Sequence, residues 1–263
     1  MSRPVIALLT DFGTRDHYAG TMKGVALGIC AEATLVDISH DIPAHDVLAG
    51  ALELAAAYRY FPAGTIFLAV IDPGVGSARR GIAAEAGDYR FVAPDNGVLT
   101  GVLADHPAKR VVELTARKYA LPTTSRTFEG RDRFAPAAAW LAKGIDLAAL
   151  GRSAGAIHHL EIPRPELADD RIDGAVLRVD RFGNLITNID RHTFERLAGG
   201  PLDIQMGAHS VSRVVSTYAD AAPGEICALF GSTDHLEVAA NGASAAEALN
   251  LSRGARVHVS RRA

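Results

Sequence analysis

The chain has 263 residues, 48% of them hydrophobic, which is enough for one large domain or two smaller ones, each with its own core. A formal net charge of −3 and scattered arginines give no basic surface for nucleic acid, so we expect no nucleic-acid partner. Cys30 and Cys227 lie far apart without the spacing of metal ligands, and no apolar run reaches membrane-spanning length. With no signal peptide before the first strand-like segment, we expect a cytoplasmic protein without a metal or a membrane partner.

Strand-like and helix-like segments alternate in the first part of the chain. Asp46 has the residue type and position of a helix N-cap. The alternation predicts a three-layer α/β/α domain with a mostly parallel sheet, which we assign to residues 1–161. The predicted strands are 5–9, 35–38, 65–71, 90–93 and 110–114, and the predicted helices are 18–30, 47–58, 98–104 and 134–143.

The first predicted helix carries glycine at every fourth position, at Gly20, Gly24 and Gly28. This spacing places the three glycines on one face, where another backbone can approach closely. A phosphate-binding loop would have its glycines before the helix. The row therefore predicts tight helix packing.

The composition changes after residue 161. A proline-stiffened connection at 162–166 is followed by short strand-like segments separated by turn residues. This pattern predicts a small antiparallel barrel or sandwich, which we assign to residues 171–263. The predicted strands are 174–179, 185–189, 202–206, 209–215, 226–230, 235–239 and 256–260.

The strongest candidate site follows the strand at 65–71. Asp72 lies at its carboxyl end and is followed by Pro-Gly-Val-Gly, which can continue neither a strand nor a helix. Ligands of open α/β sheets bind beyond the carboxyl ends of the strands. Arg79 and Arg80 come just after the turn and can fold back over the acid. The alternative is a solvated turn whose acid accepts backbone N–H groups.

Acids and amides recur at the ends of the predicted strands. Such a site suits a ligand that offers hydroxyls, amines or a positive charge, and it suits phosphate poorly. The usual motifs of nucleotide-binding loops, zinc proteases and serine hydrolases do not occur in the chain. The strand-end residues are Asp11, Asp16, Asp41, Asp72, Asp95, Asn96, Asp180, Asn184, Asn188 and Asn241.

Seven short motifs, in the same order and spread over nearly the whole chain, resemble the S-adenosylmethionine hydroxide adenosyltransferases, relatives of the adenosyl fluorinase and chlorinase. The resemblance implies an α/β domain followed by a small β-barrel. It also implies a homotrimer whose sites lie between the first domain of one subunit and the second domain of the next. The motifs are TDFG at Asp11, HDIP at His40, IDPGVGSAR at Asp72, APDNG at Asn96, TFEGRD at Arg131, DRFGNLITNI at Phe182 and AANGASAA at Asn241.

The same resemblance implies which residues bind the substrate. Asp11 would hold the ribose hydroxyls, Asp16 the methionine ammonium, and His45 would flank the ribose. In the second domain, the implied contacts to adenine and methionine come from Phe182 and Asn184, with Ser232 and Asn241 nearby. In the first domain, the resemblance also implies a substrate contact from Asn96, which lies in the APDNG motif. Structural alternatives are a helix N-cap at Asp16 and turn positions at Phe182 and Asn184.

The implied reaction is attack of water on the ribose C5′ of S-adenosylmethionine, which gives adenosine and methionine without a cofactor. An Asp, an Arg and a His perform this task in the hydrolases. Asp72 and Arg79 match the first two, and Glu129 stands where the His is expected. Glu129 either replaces the imidazole as an acceptor, with Arg79 between two carboxylates, or weakens water activation. We favour the first outcome and expect Asp72, Arg79 and Glu129 to be the catalytic group.

Two other functions remain open. A halide-using enzyme is disfavoured, because Asp72 and Val75 stand where the halogenating relatives have neutral Tyr and Thr groups, and because the long insertion of the fluorinase is missing. A binding protein for S-adenosylmethionine or a nucleoside, without catalysis, would be consistent with Glu129.

Overall fold

This computed structural model describes residues 3–123, 125–197, 200 and 202–261. Contacts between Cα atoms divide the chain into two compact units, Met1–Glu161 and Ile162–Ala263. Among the residues described, no helix is both long enough and apolar enough to cross a membrane.

The first unit alternates strands and helices, as the sequence predicts. Its elements are β1 (Val5–Thr10), α1 (Tyr18–Ile29), β2 (Thr34–Ser39), α2 (Val47–Ala57), β3 (Ile66–Val70), β4 (Gly81–Ala86), β5 (Tyr89–Pro94), α3 (Thr100–Asp105), β6 (Ala108–Leu114), α4 (Ala135–Ala142) and β7 (Gly151–Ser153). The side chain of Asp46 accepts a hydrogen bond from the Ala49 N–H at 2.9 Å and caps α2, as predicted.

The strands form one sheet in the order β2-β1-β3-β5-β4-β6-β7. Five of these seven described strands run in one direction, and β4 and β7 run against it. One hydrophobic cluster packs α1 and α4 on one face, and another packs α2 and α3 on the other face. The predicted three layers and mostly parallel sheet are confirmed. Strand β4 is absent from the prediction because its sequence, GIAAEA, has a single β-branched residue.

The glycine row of α1 does not pack as predicted. Gly20, Gly24 and Gly28 are exposed, and a Cβ added at any of them would meet no atom within 4 Å. Within the part of the chain that the structure describes, the expectation of tight packing at this row is therefore wrong. The buried face of α1 is formed by Ala19, Met22 and Ala26.

The second unit is built around an antiparallel sheet. Its strand order is β12-β11-β15-β9-β10-β14-β13, with β8 paired to β9. Its elements are β8 (Glu166–Leu167), β9 (Arg171–Val179), β10 (Leu185–Asp190), α5 (Arg191–Leu197), β11 (Leu202–Met206), β12 (His209–Val211), β13 (Ile226–Phe230), β14 (His235–Ala240), α6 (Ala245–Leu249) and β15 (Arg256–Arg261).

The two ends of this strand order meet. The N–H of Val215 donates to the carbonyl of Ala228 at 2.8 Å, and the N–H of Ala228 donates to the carbonyl of Arg213 at 2.9 Å. The segment after β12 thereby pairs with β13 and closes the sheet around an apolar core. The predicted small barrel is confirmed. The strand predicted at 209–215 ends at Val211, and its last residues form this closure instead.

Candidate active site

The turn after β3 holds Asp72 and Arg79 together. Every residue of β3 is buried, and the Pro-Gly-Val-Gly segment then reverses the chain through Gly76, whose φ is +77°. Arg79 Nε donates to Asp72 Oδ1 at 2.8 Å, and its Nη2 donates to Asp72 Oδ2. This paired contact fixes both the position and the orientation of the carboxylate.

Glu129 reaches the same guanidinium from a different part of the chain. It immediately precedes a π-helical turn, Gly130–Phe134, and its Oε2 accepts a hydrogen bond from Arg79 Nη2. Arg133, one turn later, donates from Nη1 to Glu129 Oε1 at 2.8 Å. Both oxygens of Glu129 are thus held by arginines. Single π-helical turns of this kind are frequent at functional sites.

The three charged groups are largely removed from water. Side-chain exposure is 5% at Asp72, 9% at Arg79 and 16% at Glu129. Burial by itself lowers the pKa of the Arg79 guanidinium, but the hydrogen bonds and charges of Asp72 and Glu129 outweigh it and raise this pKa above its ordinary value. The guanidinium is also 5.1 Å from the centroid of the Phe134 ring. Arg79 therefore remains a cation between the two acids.

Asp72 and Glu129 line a cavity of about 530 Å³, here called the front cavity. Three aromatic rings form another part of its wall. The ring centroids of Tyr18 and Phe128 are 5.1 Å apart, and Phe12 lies 6.0 Å from Phe128. Arg79 is not among the lining residues, so the two acids face the cavity and the arginine supports them. Acids beside aromatic faces favour a ligand that carries a positive charge on an apolar frame.

Asp11 and His45 also line the front cavity, and a hydrogen bond joins them. The backbone N–H of His45 donates to Asp11 Oδ2 at 2.8 Å. His45 adopts a φ of +68°, a conformation that non-glycine residues rarely use. Behind Asp11, the hydroxyl of Thr10 is 2.8 Å from Nδ1 of the buried His40. The end of β1 and the loop after β2 are therefore locked together at this edge of the sheet.

Three residues that the sequence analysis singled out do not line the front cavity. Asp16 is exposed, and His17 rather than Asp16 stands at the N-cap of α1. Asn96 donates from Nδ2 to the carbonyl of Ile71 at 2.8 Å, which ties its loop to the residue before Asp72. Arg80 does not fold over Asp72, because its Nε donates to Asp95 Oδ2 at 2.8 Å. Neither Asp16 nor Asn96 lines the front cavity.

The second unit has a cavity of its own, of about 1010 Å³, here called the barrel cavity. Phe182, Asn184 and Ser232 line it. The Phe182 side chain is 76% exposed, whereas Asn184 is buried and donates from Nδ2 to Asp180 Oδ2 at 2.9 Å. Asn241 does not line the cavity, and its Nδ2 donates to the carbonyl of Ala221 at 2.8 Å.

Several lining residues are absent from the sequence-based set. The barrel cavity contains the buried Glu237, which accepts a hydrogen bond from Tyr218 Oη. Burial raises the pKa of Glu237 above its ordinary value, although the bond from Tyr218 opposes this change. No sequence pattern links these two residues. Glu129 and Arg133 could have been predicted as an ion pair, because they are four residues apart in a segment expected to lead into a helix.

Within the described residues, no group of three or more His, Cys, Asp or Glu could hold a metal ion.

Comparison with known proteins shows which family this chain belongs to. The SAM hydroxide adenosyltransferase N-terminal domain matches residues 6–151, and the SAM hydroxide adenosyltransferase C-terminal domain matches residues 174–258. The chain belongs to the SAM hydroxide adenosyltransferase family. It is 40% identical to the family's (R)-S-adenosyl-L-methionine hydrolase from Salinispora tropica, over 97% of each chain. The fluorinase of Nocardia brasiliensis is 32% identical, over 98% of this chain and 97% of that protein.

A solved structure is also similar to this chain. The crystal structure of an uncharacterized conserved protein from Thermotoga maritima superimposes with a TM-score of 0.92 at 32% identity. That comparison covers 97% of this chain and all of the other.

Proposed function

We propose that this protein hydrolyses S-adenosyl-L-methionine to adenosine and L-methionine by attack of water on the ribose C5′ carbon. The observation that carries the proposal is the Asp72–Arg79–Glu129 cluster, which presents two carboxylates to the front cavity. The Salinispora tropica hydrolase, 40% identical over 97% of its length, supports the same reaction.

The substrate's sulfonium is a good leaving group, so the protein has to align a water molecule and accept its proton. The water oxygen forms a bond to C5′ while the C5′–S bond breaks, and the electron pair of that bond returns to sulfur to give neutral methionine. The water proton passes to Asp72 or Glu129 and then to solvent. Arg79 acts through the two acids, because it holds their oxygens in place and balances their charge.

In this proposal the other contacts from the first unit come from the front cavity and from the loop before α1. The aromatic rings of Tyr18 and Phe128 face the positively charged substrate. Asp11 holds the ribose hydroxyls, with its carboxylate fixed by the His45 N–H, and His45 flanks the ribose. Asp16 binds the methionine ammonium from the exposed loop before α1.

The contacts from the second unit remain part of the proposal as well. Phe182 and Asn184, with Ser232 nearby, bind the adenine and methionine portions, and their position in the wall of the barrel cavity supports this. The side chains of Asn96 and Asn241 bond to backbone carbonyls, so we propose that they shape the site from outside these cavities.

We further propose that the chain forms a homotrimer in the cytoplasm, with each site completed by a neighbouring subunit. The exposed Phe182 ring supports a partner surface at this position. The two buried free cysteines, Cys30 and Cys227, are consistent with a reducing compartment. Light scattering on the purified protein tests the assembly, and a monomer at micromolar concentration would contradict it.

Product analysis tests the proposed reaction. The purified protein is incubated with S-adenosyl-L-methionine, with and without added chloride or fluoride, and the products are separated by chromatography. We expect adenosine and methionine in equal amounts at a rate that halide does not change, since carboxylates at Asp72 and Glu129 repel a halide ion. A 5′-halogenated adenosine would indicate a halide-using enzyme. Tight binding by calorimetry without product would indicate a binding protein.

A further inference from the structure

A second cavity of the first unit, here called the arginine cavity, adjoins the front cavity at Glu129 and Ser125, which line both. Its volume is about 400 Å³. Arg117, Arg126 and Arg133 line it, and Glu129 is the only acid among the described residues of its wall. No step of the proposed hydrolysis uses this cavity.

The charges in this cavity do not cancel. Arg133 and Glu129 form an ion pair, whereas Arg117 and Arg126 have no acidic partner among the described residues. Arg126 donates from Nη2 to the carbonyl of Gly76 at 3.0 Å, which leaves its charge uncompensated. Eight other arginines of the described first unit are each paired with Asp or Glu. Arg3 and Arg15 are the other two arginines of the described first unit without an acidic partner, and neither lines this cavity. The arginine cavity therefore contains half of the unpaired guanidinium groups of the described first unit.

We propose that the arginine cavity binds a phosphate-type dianion between Arg117 and Arg126. Two guanidinium groups match the charge of a dianion, and each presents a planar fork of N–H donors that fits two oxygens of a tetrahedral phosphate. Thr115 and Tyr119 also line the cavity, and each has a hydroxyl group that can donate to one of the remaining oxygens. Free phosphate and the phosphate group of a small monoester share this chemistry.

The site is coupled to the front cavity through Arg133. This arginine holds Glu129 Oε1 at 2.8 Å with one nitrogen and the carbonyl of Leu114 at 2.7 Å with the other. A dianion beside it competes with Glu129 for the guanidinium. Phosphate in the arginine cavity thereby loosens a carboxylate that faces the front cavity.

Calorimetry on the full-length protein tests the binding. Inorganic phosphate and glycerol 1-phosphate are titrated separately at constant ionic strength, balanced with chloride. We expect one saturable site per chain, and at least a tenfold weaker Kd in the Arg117→Gln/Arg126→Gln variant. Equal affinity for the two probes means that the phosphate group alone is bound, and tighter binding of the monoester means that its organic part contributes.

The matched control is Arg3→Gln/Arg15→Gln. These two arginines also lack an acidic partner among the described residues, so the control removes the same charge from a different part of the first unit. The proposal requires an unchanged phosphate Kd in this control. Absence of saturable binding, or equal weakening in both double variants, would overturn it.

The effect of phosphate on the hydrolysis of S-adenosylmethionine is a second test of the proposal. This test rests on the proposed function, whereas the calorimetric test does not. We expect phosphate to lower kcat of the wild-type protein, to leave KM for S-adenosylmethionine unchanged, and to have no effect on the Arg117→Gln/Arg126→Gln variant. Binding without a change in kcat would overturn the coupling through Arg133. Absence of hydrolysis in every sample would contradict the proposed function and leave the calorimetric result intact.

Discussion

The guanidinium of Arg79 contacts the carboxylate of Glu129 across fifty positions of sequence. Arg79 arrives on the turn that ends β3, and Glu129 arrives at the start of the π-helical turn before α4. Neither segment alone contains the complete cluster. The proposed chemistry therefore depends on how the sheet brings these two segments together.

The first prediction concerns Glu129. Replacing it by Gln keeps the shape of the side chain but removes its charge and its ability to accept a proton. We expect kcat for hydrolysis of S-adenosylmethionine to fall by roughly 10², as is typical when a general base is lost. The control is Glu113→Gln, which breaks the ion pair of Glu113 with the exposed Arg152. Equal rates for wild type and Glu129→Gln would show that Asp72 works without it.

The second prediction concerns the stability contributed by Arg79. Arg79→Gln leaves two mostly buried carboxylates without their shared cation. We expect the free energy of unfolding to fall by about 3–5 kcal/mol, the usual cost of removing one partner from a buried ion pair. Urea denaturation measures this cost. Arg152→Gln, at a side chain that is 74% exposed, should change stability by less than about 1 kcal/mol. Similar losses of unfolding free energy in Arg79→Gln and Arg152→Gln would contradict a special role of Arg79 as the shared cation of the two carboxylates.

The third prediction separates backbone strain from a steric clash at the turn. A Cβ added to Gly76, at φ +77°, would lie 2.4 Å from the carbonyl oxygen of Arg126. A Cβ added to Gly64, at φ +85°, would meet no atom within 4 Å. Both Ala variants should lose about 1–2 kcal/mol of stability from the unfavourable φ. Gly76→Ala should lose more and also lower kcat, because its turn carries Asp72 and Arg79. Equal stability and equal kcat in the Gly76→Ala and Gly64→Ala variants would show that the turn relieves the steric clash without moving Asp72 and Arg79.

The fourth prediction concerns pH and the buried Glu237. Burial raises its pKa above the ordinary 4.5, so the folded protein binds this proton more tightly than the unfolded chain does. The contribution of this protonated carboxyl group to the free energy of unfolding is fully present below about pH 4.5. It is lost as the pH rises through the raised pKa of Glu237. Glu237→Gln should therefore gain stability relative to wild type as the pH rises above 4.5, as measured by calorimetric unfolding.

Glu225→Gln serves as the control for this pH series. Hydrogen bonds from the Ala222 N–H and from the Arg213 side chain lower the pKa of Glu225. The contribution of Glu225 to the free energy of unfolding is therefore present above pH 4.5 and is lost as the pH falls. The two variants should therefore diverge from wild type with opposite signs. A stability difference between Glu237→Gln and wild type that stays constant from pH 4 to pH 8 would contradict the prediction.

The sequence predicts the strand and turn around Asp72 well, because a buried apolar run followed by Pro-Gly allows few alternatives. The alternation of strands and helices likewise predicts the three layers of the first unit. The contact between Arg79 and Asp72 needs only a short loop to fold back, so local spacing suggests it. These features depend on residues close to one another in the chain.

Other features depend on tertiary contacts that local patterns do not encode. Strand β4 is an alanine-rich segment held between β5 and β6 by backbone pairing, so its own composition does not mark it as a strand. The π-helical turn places Arg133 on Glu129, and the pairing of Tyr218 with Glu237 joins distant parts of the barrel. The glycines of α1 show the converse case, since their spacing is regular but nothing in the described chain packs on them.

Hydrolysis in ¹⁸O-labelled water tests the central claim most directly, because it follows the atom that Asp72 and Glu129 are proposed to direct. Wild-type protein incubated with S-adenosyl-L-methionine should give adenosine with one ¹⁸O in its 5′-hydroxyl group. Asp72→Asn, with an unchanged circular dichroism spectrum, should form this product slower by roughly 10² or more. Unlabelled adenosine, or labelled adenosine formed by Asp72→Asn at the wild-type rate, would contradict the account.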